Sequence, residues 1–176
     1  MKTIILTLLI LTIQLKGSSC DCNWGGSFIN SIKNTDIVLI AKVINYDIYK
    51  TTNDTTFATV MKIEIIEIIT LKDSSFKVND FILKKKFFYV IGNTGNKCRP
   101  YISNFPIGTE WLFKLNSAKN NFFSIDFTIS NCATNYVLID NGIVKGNLFG
   151  KNQKFLSDAL YQEMELNKFI TKIKKQ

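Results

Sequence analysis

The chain has 176 residues, of which 46% are hydrophobic and 20% are charged, so it can bury one hydrophobic core and has little material for disordered tails. Its formal net charge is +8, which makes the protein basic. The absence of histidine excludes Ser-His-Asp and Cys-His catalytic groups and every metal site that needs histidine.

The first residues form a pattern of their own. An uncharged run rich in Ile and Leu occupies residues 3–15, between Lys2 and Lys16, and small residues follow at 17–19. This is typical of a secretory signal peptide, and the run is shorter than the roughly 20 residues that a helix needs to span a bilayer. We therefore predict a leader at residues 1–19, cleaved before Cys20, and one mature domain at 20–176 that is secreted, extracellular or periplasmic, without a transmembrane span.

Strands dominate the predictions for the mature chain. A short helix capped by Ser27 is predicted at Phe28–Lys33, with Phe28, Ile29 and Ile32 facing inward. β-Branched runs bounded by turn residues predict five strands, at about Asp36–Lys50, Phe57–Leu71, Phe81–Ile91, Thr109–Leu115 and Phe122–Ser130. In the second strand the apolar alternation slips by one residue after Ile65, which predicts a β-bulge. Because bulges let a sheet coil, we expect a barrel.

The rest of the chain predicts a hairpin and a helix. Two short strands, Tyr136–Ile139 and Ile143–Lys145, flank Asp140-Asn141-Gly142, a typical hairpin turn, so we expect an antiparallel sheet. From about 155 to 175 apolar residues recur at helical spacing, and the lysines near the end agree with the helix dipole. We expect an amphipathic helix packed on the barrel.

Four cysteines lie in the mature chain: Cys20, Cys22, Cys98 and Cys132. An even number in an exported protein predicts two disulfides. A bond between Cys20 and Cys22 would close a tiny strained ring, so two pairings remain, and both clamp the N-terminus to distant parts of the chain. The spacing lacks the paired Cys-x2-Cys of zinc ribbons, so we predict no metal site of the protein's own.

Several features together resemble the netrin-module superfamily, and within it the N-terminal domain of tissue inhibitors of metalloproteinases (TIMPs). They are the Cys20-Asp21-Cys22 start after the leader, the short helix with Phe28, the strand Asp36–Val43, the later single cysteines and Gly108-x-x-Trp111-Leu112. The resemblance covers Cys20 to about Cys132. It implies a mainly β fold, an OB-like five-stranded antiparallel barrel with flanking helices, and disulfides Cys20–Cys98 and Cys22–Cys132.

The resemblance also implies an activity, inhibition of a zinc metalloprotease. In this family the α-amino group and carbonyl of the first cysteine chelate the protease zinc, so Cys20, Asp21 and Cys22 form the candidate inhibitory tip and no enzyme activity or cofactor is expected. Asp21 stands where the family usually has Ser or Thr entering the specificity pocket. A carboxylate desolvated there should weaken binding to common targets.

Two other interpretations concern the same residues. In the first, the disulfides only staple the N-terminus to the barrel, and the protein is a binding or structural domain. In the second, Cys20 is the lipid-modified cysteine of a lipoprotein, with Gly17-Ser18-Ser19 as a loose lipobox, which would acylate the amine and leave an odd number of cysteines. Either one gives an envelope-attached or extracellular domain without inhibitory activity.

A basic strip, Lys84-Lys85-Lys86, precedes the aromatic residues Phe87, Phe88 and Tyr89. Such a strip is a candidate contact for an anionic glycan or envelope surface, since OB barrels often bind polyanions, while the alternative is a solvated strand face. Nucleic acid is not expected for an exported protein, and the single arginine argues against bidentate phosphate recognition. The paired acids, such as Glu64 and Glu67, fit solvated faces better than catalytic sites.

Overall fold

The computed structural model describes residues 25–52, 54–72, 85–95, 98–118, 126–150 and 161–176. Within these ranges the chain forms strands, two 3₁₀ helices and one α-helix. The 3₁₀ helices are Ile29–Asn34 and Ile102–Asn104, the α-helix α1 is Leu166–Ile173, and the strands are β1 (Ile37–Thr52), β2 (Thr55–Leu71), β3 (Phe87–Ile91), β4 (Glu110–Ser117), β5 (Phe127–Thr128), β6 (Tyr136–Asp140), β7 (Ile143–Gly146) and β8 (Gln162–Glu165).

Five of the strands close into a barrel. The order is β1-β2-β3-β5-β4, and β4 pairs again with β1. Four of the closing pairs are antiparallel, and β3 and β5 are parallel, with Val90 beside Phe127 and Ile91 beside Thr128. The prediction of a mainly β, OB-like five-stranded barrel is confirmed, and the antiparallel expectation fails only at this seam.

The predicted β-bulge lies in the long β1–β2 hairpin. Ile40 pairs with Glu67 and Ala41 with Ile65, so Ile66 is an extra residue on β2. Its side chain is 51% exposed, as the slip in the apolar alternation implies. The bulge strengthens the local twist, which helps β1 reach both β2 and β4.

Two apolar cores lie on opposite sides of the barrel wall. β1 serves both, because Ile37 and Leu39 point into the barrel while Val38 and Ile40 point outward. The inner core fills the barrel with Phe88, Phe105, Phe113 and Phe127 among others. The outer core joins the wall to α1 and to the first 3₁₀ helix, mainly through Phe28, Leu112, Val137, Phe169 and Ile173.

The first 3₁₀ helix covers nearly the residues predicted for a short helix. Phe28 and Ile29 are buried and Ile32 is partly buried in the outer core, as predicted. The cap is different, because Phe28 holds the N-cap position without a side-chain hydrogen bond. The Ser27 hydroxyl is buried and makes no hydrogen bond with the described residues.

Within the described residues the C-terminal helix begins later than predicted, and residues 155–160 of the predicted helix lie outside them. Residues 162–165 extend along β7 as strand β8, with Met164 opposite Val144, and the helix begins only at Leu166. The Gln162 side chain accepts hydrogen bonds from the amides of Leu148 (3.1 Å) and Phe149 (2.8 Å). Pairing of the open β7 edge therefore outweighs helix propensity in this segment. In the described ranges no helix has both the length and the apolar character to cross a membrane.

The third and fifth strands also differ from their predicted lengths. β3 starts at Phe87, after Lys85 and Lys86, and residues 81–84 of the predicted strand lie outside the described residues. In the described residues β5 is Phe127–Thr128, which bridges β3 and β4 where the barrel closes, and residues 122–125 of the predicted strand lie outside these residues. The hairpin at Asn141-Gly142 forms as predicted, with both residues at positive φ (49° and 76°).

Candidate functional site

The predicted inhibitory tip, Cys20, Asp21 and Cys22, lies outside the described residues, as does Lys84 of the basic strip. The described chain starts at Gly25, three residues after Cys22. The surroundings of Gly25 therefore show how the segment after the predicted tip is held on the barrel.

Gly25 and Gly26 are bonded to the loop between β5 and β6. The Gly25 amide donates to the Cys132 carbonyl at 2.6 Å, and the Thr134 amide donates to the Gly26 carbonyl at 3.0 Å. A Cβ atom on Gly25 would lie 3.0 Å from the Ala133 Cβ and 3.3 Å from the Cys132 carbonyl. The two backbones approach so closely that this position favours glycine.

Cys98 joins the same cluster from the loop between β3 and β4. Its carbonyl accepts a hydrogen bond from the Asn131 amide at 3.0 Å and a longer one from the Ser130 hydroxyl at 3.4 Å. The Ser130 hydroxyl in turn accepts from the Cys132 amide at 3.0 Å. Gly25–Gly26, Cys98 and Ser130–Thr134 thus form one contiguous group, which we call the cysteine junction.

Both cysteines of the junction, Cys98 and Cys132, are partly buried and disulfide-bonded. The predicted pairings, Cys20–Cys98 and Cys22–Cys132, involve residues outside the described ranges and stay predictions. Arg99, the only arginine of the chain, lies directly beside the junction. Desolvation lowers the pKa of its guanidinium, but an arginine stays protonated in proteins, so the junction has a fixed positive charge at its side.

Close backbone contacts hold the Cys98 loop against β2. The Gly92 amide donates to the Thr59 carbonyl and the Asn93 amide donates to the Pro100 carbonyl, both at 2.8 Å. A Cβ on Gly92 would lie 2.5 Å from Ile102 Cδ1 and 2.7 Å from the Pro100 carbonyl. Only glycine fits here, and the two ends of the loop that carries Cys98 are fixed together.

The far end of the β1–β2 hairpin adjoins this loop, which sequence reasoning missed. The Lys50 ammonium donates to the Thr94 carbonyl at 2.8 Å, and the Phe57 ring meets Tyr101 edge-on at 5.9 Å. Ile48 next to them has a positive φ of 47°, rare for a β-branched residue. The Asp47 carboxylate and the Thr59 hydroxyl hold it there. A backbone conformation of this kind leaves no signal in the apolar pattern.

A buried lysine supports the 3₁₀ helix that follows the junction. The Lys114 ammonium donates to the Phe28 carbonyl at 3.0 Å and to the Ser31 hydroxyl, and it lies 4.8 Å from the centroid of the Phe28 ring. The residue is 2% exposed, and burial lowers the pKa of Lys114 to about 7. The sequence alone does not predict this burial, since Lys114 falls where the strand alternation allows a solvated face.

The predicted basic strip is only partly available. Lys85 pairs with Asp126 and Lys86 with Glu64 at 2.9 Å, while Phe88 points into the barrel and is buried. Phe87 and Tyr89 remain on the outer face, where the Lys62 ammonium lies over the Phe87 ring at 4.4 Å. Of the two strip lysines that the structure describes, each is paired with a carboxylate, and Lys84 lies outside the described residues.

In the described part of the chain no group of three or more His, Cys, Asp or Glu side chains is arranged to hold a metal ion. No family model, curated protein or solved structure matches the chain. The chemistry of the junction therefore has to be argued from its own geometry.

Proposed function

We propose that the protein is a secreted, non-enzymatic TIMP-like module that inhibits a zinc metalloprotease through the α-amino group and carbonyl of Cys20. One observation carries the proposal: the chain just after the predicted tip is pinned, at Gly25 and Gly26, to the loop of Cys132, which also binds the carbonyl of Cys98. The proposed tip would thus start from a segment that is hydrogen-bonded to the barrel.

The chain length fits both distal cysteines. Since an extended chain spans at most about 3.6 Å per residue, Cys22 stays within about 11 Å of Gly25 and Cys20 within about 18 Å. Gly25 is itself bonded to Cys132, whose loop also binds Cys98. Both remaining pairings are therefore within reach, and the resemblance to TIMPs favours Cys20 with Cys98 and Cys22 with Cys132.

The chemistry that this proposal needs is simple. An α-amino group has an ordinary pKa of about 7.7 to 8.0, and zinc binding favours its neutral, donating form. Two disulfides at the tip would remove much of the entropy that a free N-terminus loses on insertion. No histidine, metal or cofactor of the inhibitor takes part.

The proposal is tested with the mature chain, beginning at Cys20 and oxidised, against a panel of zinc endopeptidases of the His-Glu-x-x-His class. We expect inhibition, and we expect one alanine added before Cys20 to abolish it, because the amine then no longer reaches the zinc. The unfolding midpoint of the extended protein serves as the control and should not change. Equal inhibition by the extended protein would contradict the mechanism.

Two further measurements separate the alternatives. If only an Asp21→Thr variant inhibits, the carboxylate at the tip excludes the chosen proteases and the mechanism stands; if neither protein inhibits any of them, the proposal fails. The intact mass of the natively exported protein shows whether Cys20 has a free amine. A lipid increment there would replace the proposal with an envelope-attached binding domain.

A further inference from the structure

The strongest unbalanced positive charge of the described residues lies on α1 and the residues after it. Four exposed lysines follow each other here: Lys168, Lys172, Lys174 and Lys175. Among the ion pairs of the described ranges only one involves this group, between Lys168 and Glu165 at 2.9 Å, and residues 166–176 contain no acid. We call these four residues the C-terminal lysine face.

The packing of α1 fixes which way these lysines point. Phe169, Ile170 and Ile173 are buried in the outer core, and the Phe169 ring contacts Phe28 and Phe149, both at 5.7 Å between centroids. The apolar side of the helix is therefore buried against the barrel. The four lysines are exposed, with the Lys172 ammonium 5.6 Å from the centroid of the Phe149 ring, and the buried apolar side of the helix is not free to insert into a membrane.

The C-terminal lysine face and the basic strip differ in how many of their lysines are paired with a carboxylate, and this difference favours the lysine face as the contact for an anionic partner. In the strip two lysines are neutralised by Asp126 and Glu64, whereas Lys172, Lys174 and Lys175 have no carboxylate partner among the described residues. Lysine is a compact point charge that suits a diffuse array of phosphates, and the one arginine, suited to bidentate recognition, lies elsewhere.

We infer that the C-terminal lysine face binds the anionic headgroups of a lipid bilayer as a peripheral, purely electrostatic contact. Each lysine near such a surface raises partitioning about fivefold, so the three unpaired lysines together contribute about 100-fold at low salt. The inference does not depend on zinc chelation, since the face belongs to a different segment from the cysteine junction.

The test is sedimentation of the whole mature protein with vesicles of phosphatidylcholine, with and without phosphatidylglycerol, at low and at physiological ionic strength. We expect binding only to the anionic vesicles, weaker at the higher ionic strength because salt screens exposed charges. The variant Lys172→Gln/Lys174→Gln/Lys175→Gln should partition about 100-fold less. An unchanged unfolding midpoint shows that this variant is folded.

A matched control removes the same charge elsewhere. The strip variant Lys62→Gln/Lys72→Gln/Lys86→Gln removes three lysines outside the C-terminal lysine face, including Lys86 of the basic strip. It leaves the Lys85–Asp126 pair intact and should keep nearly all vesicle binding. The inference is overturned if both triple variants lose binding equally, because net charge alone then explains it. It is also overturned if the strip variant loses more, if neutral vesicles bind equally well, or if the protein binds heparin but no vesicle.

Discussion

Lys114 is buried by the fold, although a lysine side chain ordinarily stays exposed to solvent. It stands in β4 between Phe113 and Leu115, both of which fill the barrel, so the alternation puts Lys114 on the outer face. There the first 3₁₀ helix covers it and supplies a carbonyl, a hydroxyl and an aromatic ring. None of these contacts is a carboxylate, and desolvation is what lowers the pKa of Lys114.

This burial predicts a pH-dependent stability. The pKa of Lys114 is about 7 in the folded protein and 10.5 in the unfolded chain, so between these values the unfolded chain binds more protons. The free energy of unfolding should therefore rise with pH in this window, by about 1.4 kcal/mol per unit. The destabilisation caused by burying the Lys114 ammonium should be absent above about pH 10.5 and complete below about pH 7. Denaturant titrations of the wild type and Lys114→Met across the window measure the difference; parallel pH profiles would contradict it.

At the scale of elements, the sequence predicts the bulge and the turn, because each of them has a local residue pattern. The one-residue slip after Ile65 marks the bulge at Ile66, and Asn141-Gly142 marks the hairpin turn. The start of α1 was missed because residues 162–165 satisfy both periods: Met164 fits the helical spacing, yet it also alternates with the exposed Glu163 and Glu165. The open edge of β7, a tertiary feature, decides between them.

Phe169 is the aromatic residue through which α1 packs on the outer core. Phe169 is fully buried between Phe28 and Phe149, so Phe169→Ala should reduce the free energy of unfolding by about 3 to 5 kcal/mol through lost burial and a cavity. Asn167→Ala, exposed on the same helix, is the control and should change it by less than about 0.5 kcal/mol. Thermal or denaturant unfolding of the two variants checks this, and similar losses in both would show that α1 is not docked through Phe169.

At the scale of the whole molecule, the sequence predicts the number of barrel strands better than their order. The closing pairs join β1 to β4 and β3 to β5. These segments are far apart in the chain, and no residue pattern in either one indicates that they pair. The cysteines predict a long-range contact, the return of the N-terminal segment to the loops of Cys98 and Cys132, and in the described residues Gly25 is bonded to Cys132. No residue pattern predicts that the end of the β1–β2 hairpin lies beside the Cys98 loop.

The parallel seam between β3 and β5 is short, and Asp126 supports it with side-chain hydrogen bonds. One carboxylate oxygen accepts the Tyr89 amide at 2.9 Å and the other the Lys85 ammonium, while the Asp126 amide donates to the Tyr89 carbonyl at 3.0 Å. Two residue pairs join β3 to β5, so the side-chain bonds supply a large part of the seam. Asp126→Ala should therefore reduce the free energy of unfolding by about 2 to 3 kcal/mol, since a partly buried amide and a lysine lose their partner.

Hydrogen exchange distinguishes an opened seam from a general loss of stability. The Ile129 amide donates to the Ile91 carbonyl across the seam at 3.2 Å, so its exchange should accelerate in Asp126→Ala more than exchange of the Lys114 amide, which bonds β4 to the Asn135 carbonyl. Asp140→Ala is the matched control. Its ion pair with Lys145 is half exposed, and such pairs contribute at most about 1 kcal/mol. Uniform acceleration of all amides in Asp126→Ala would mean that the barrel opens as one unit and that the seam has no separate weakness.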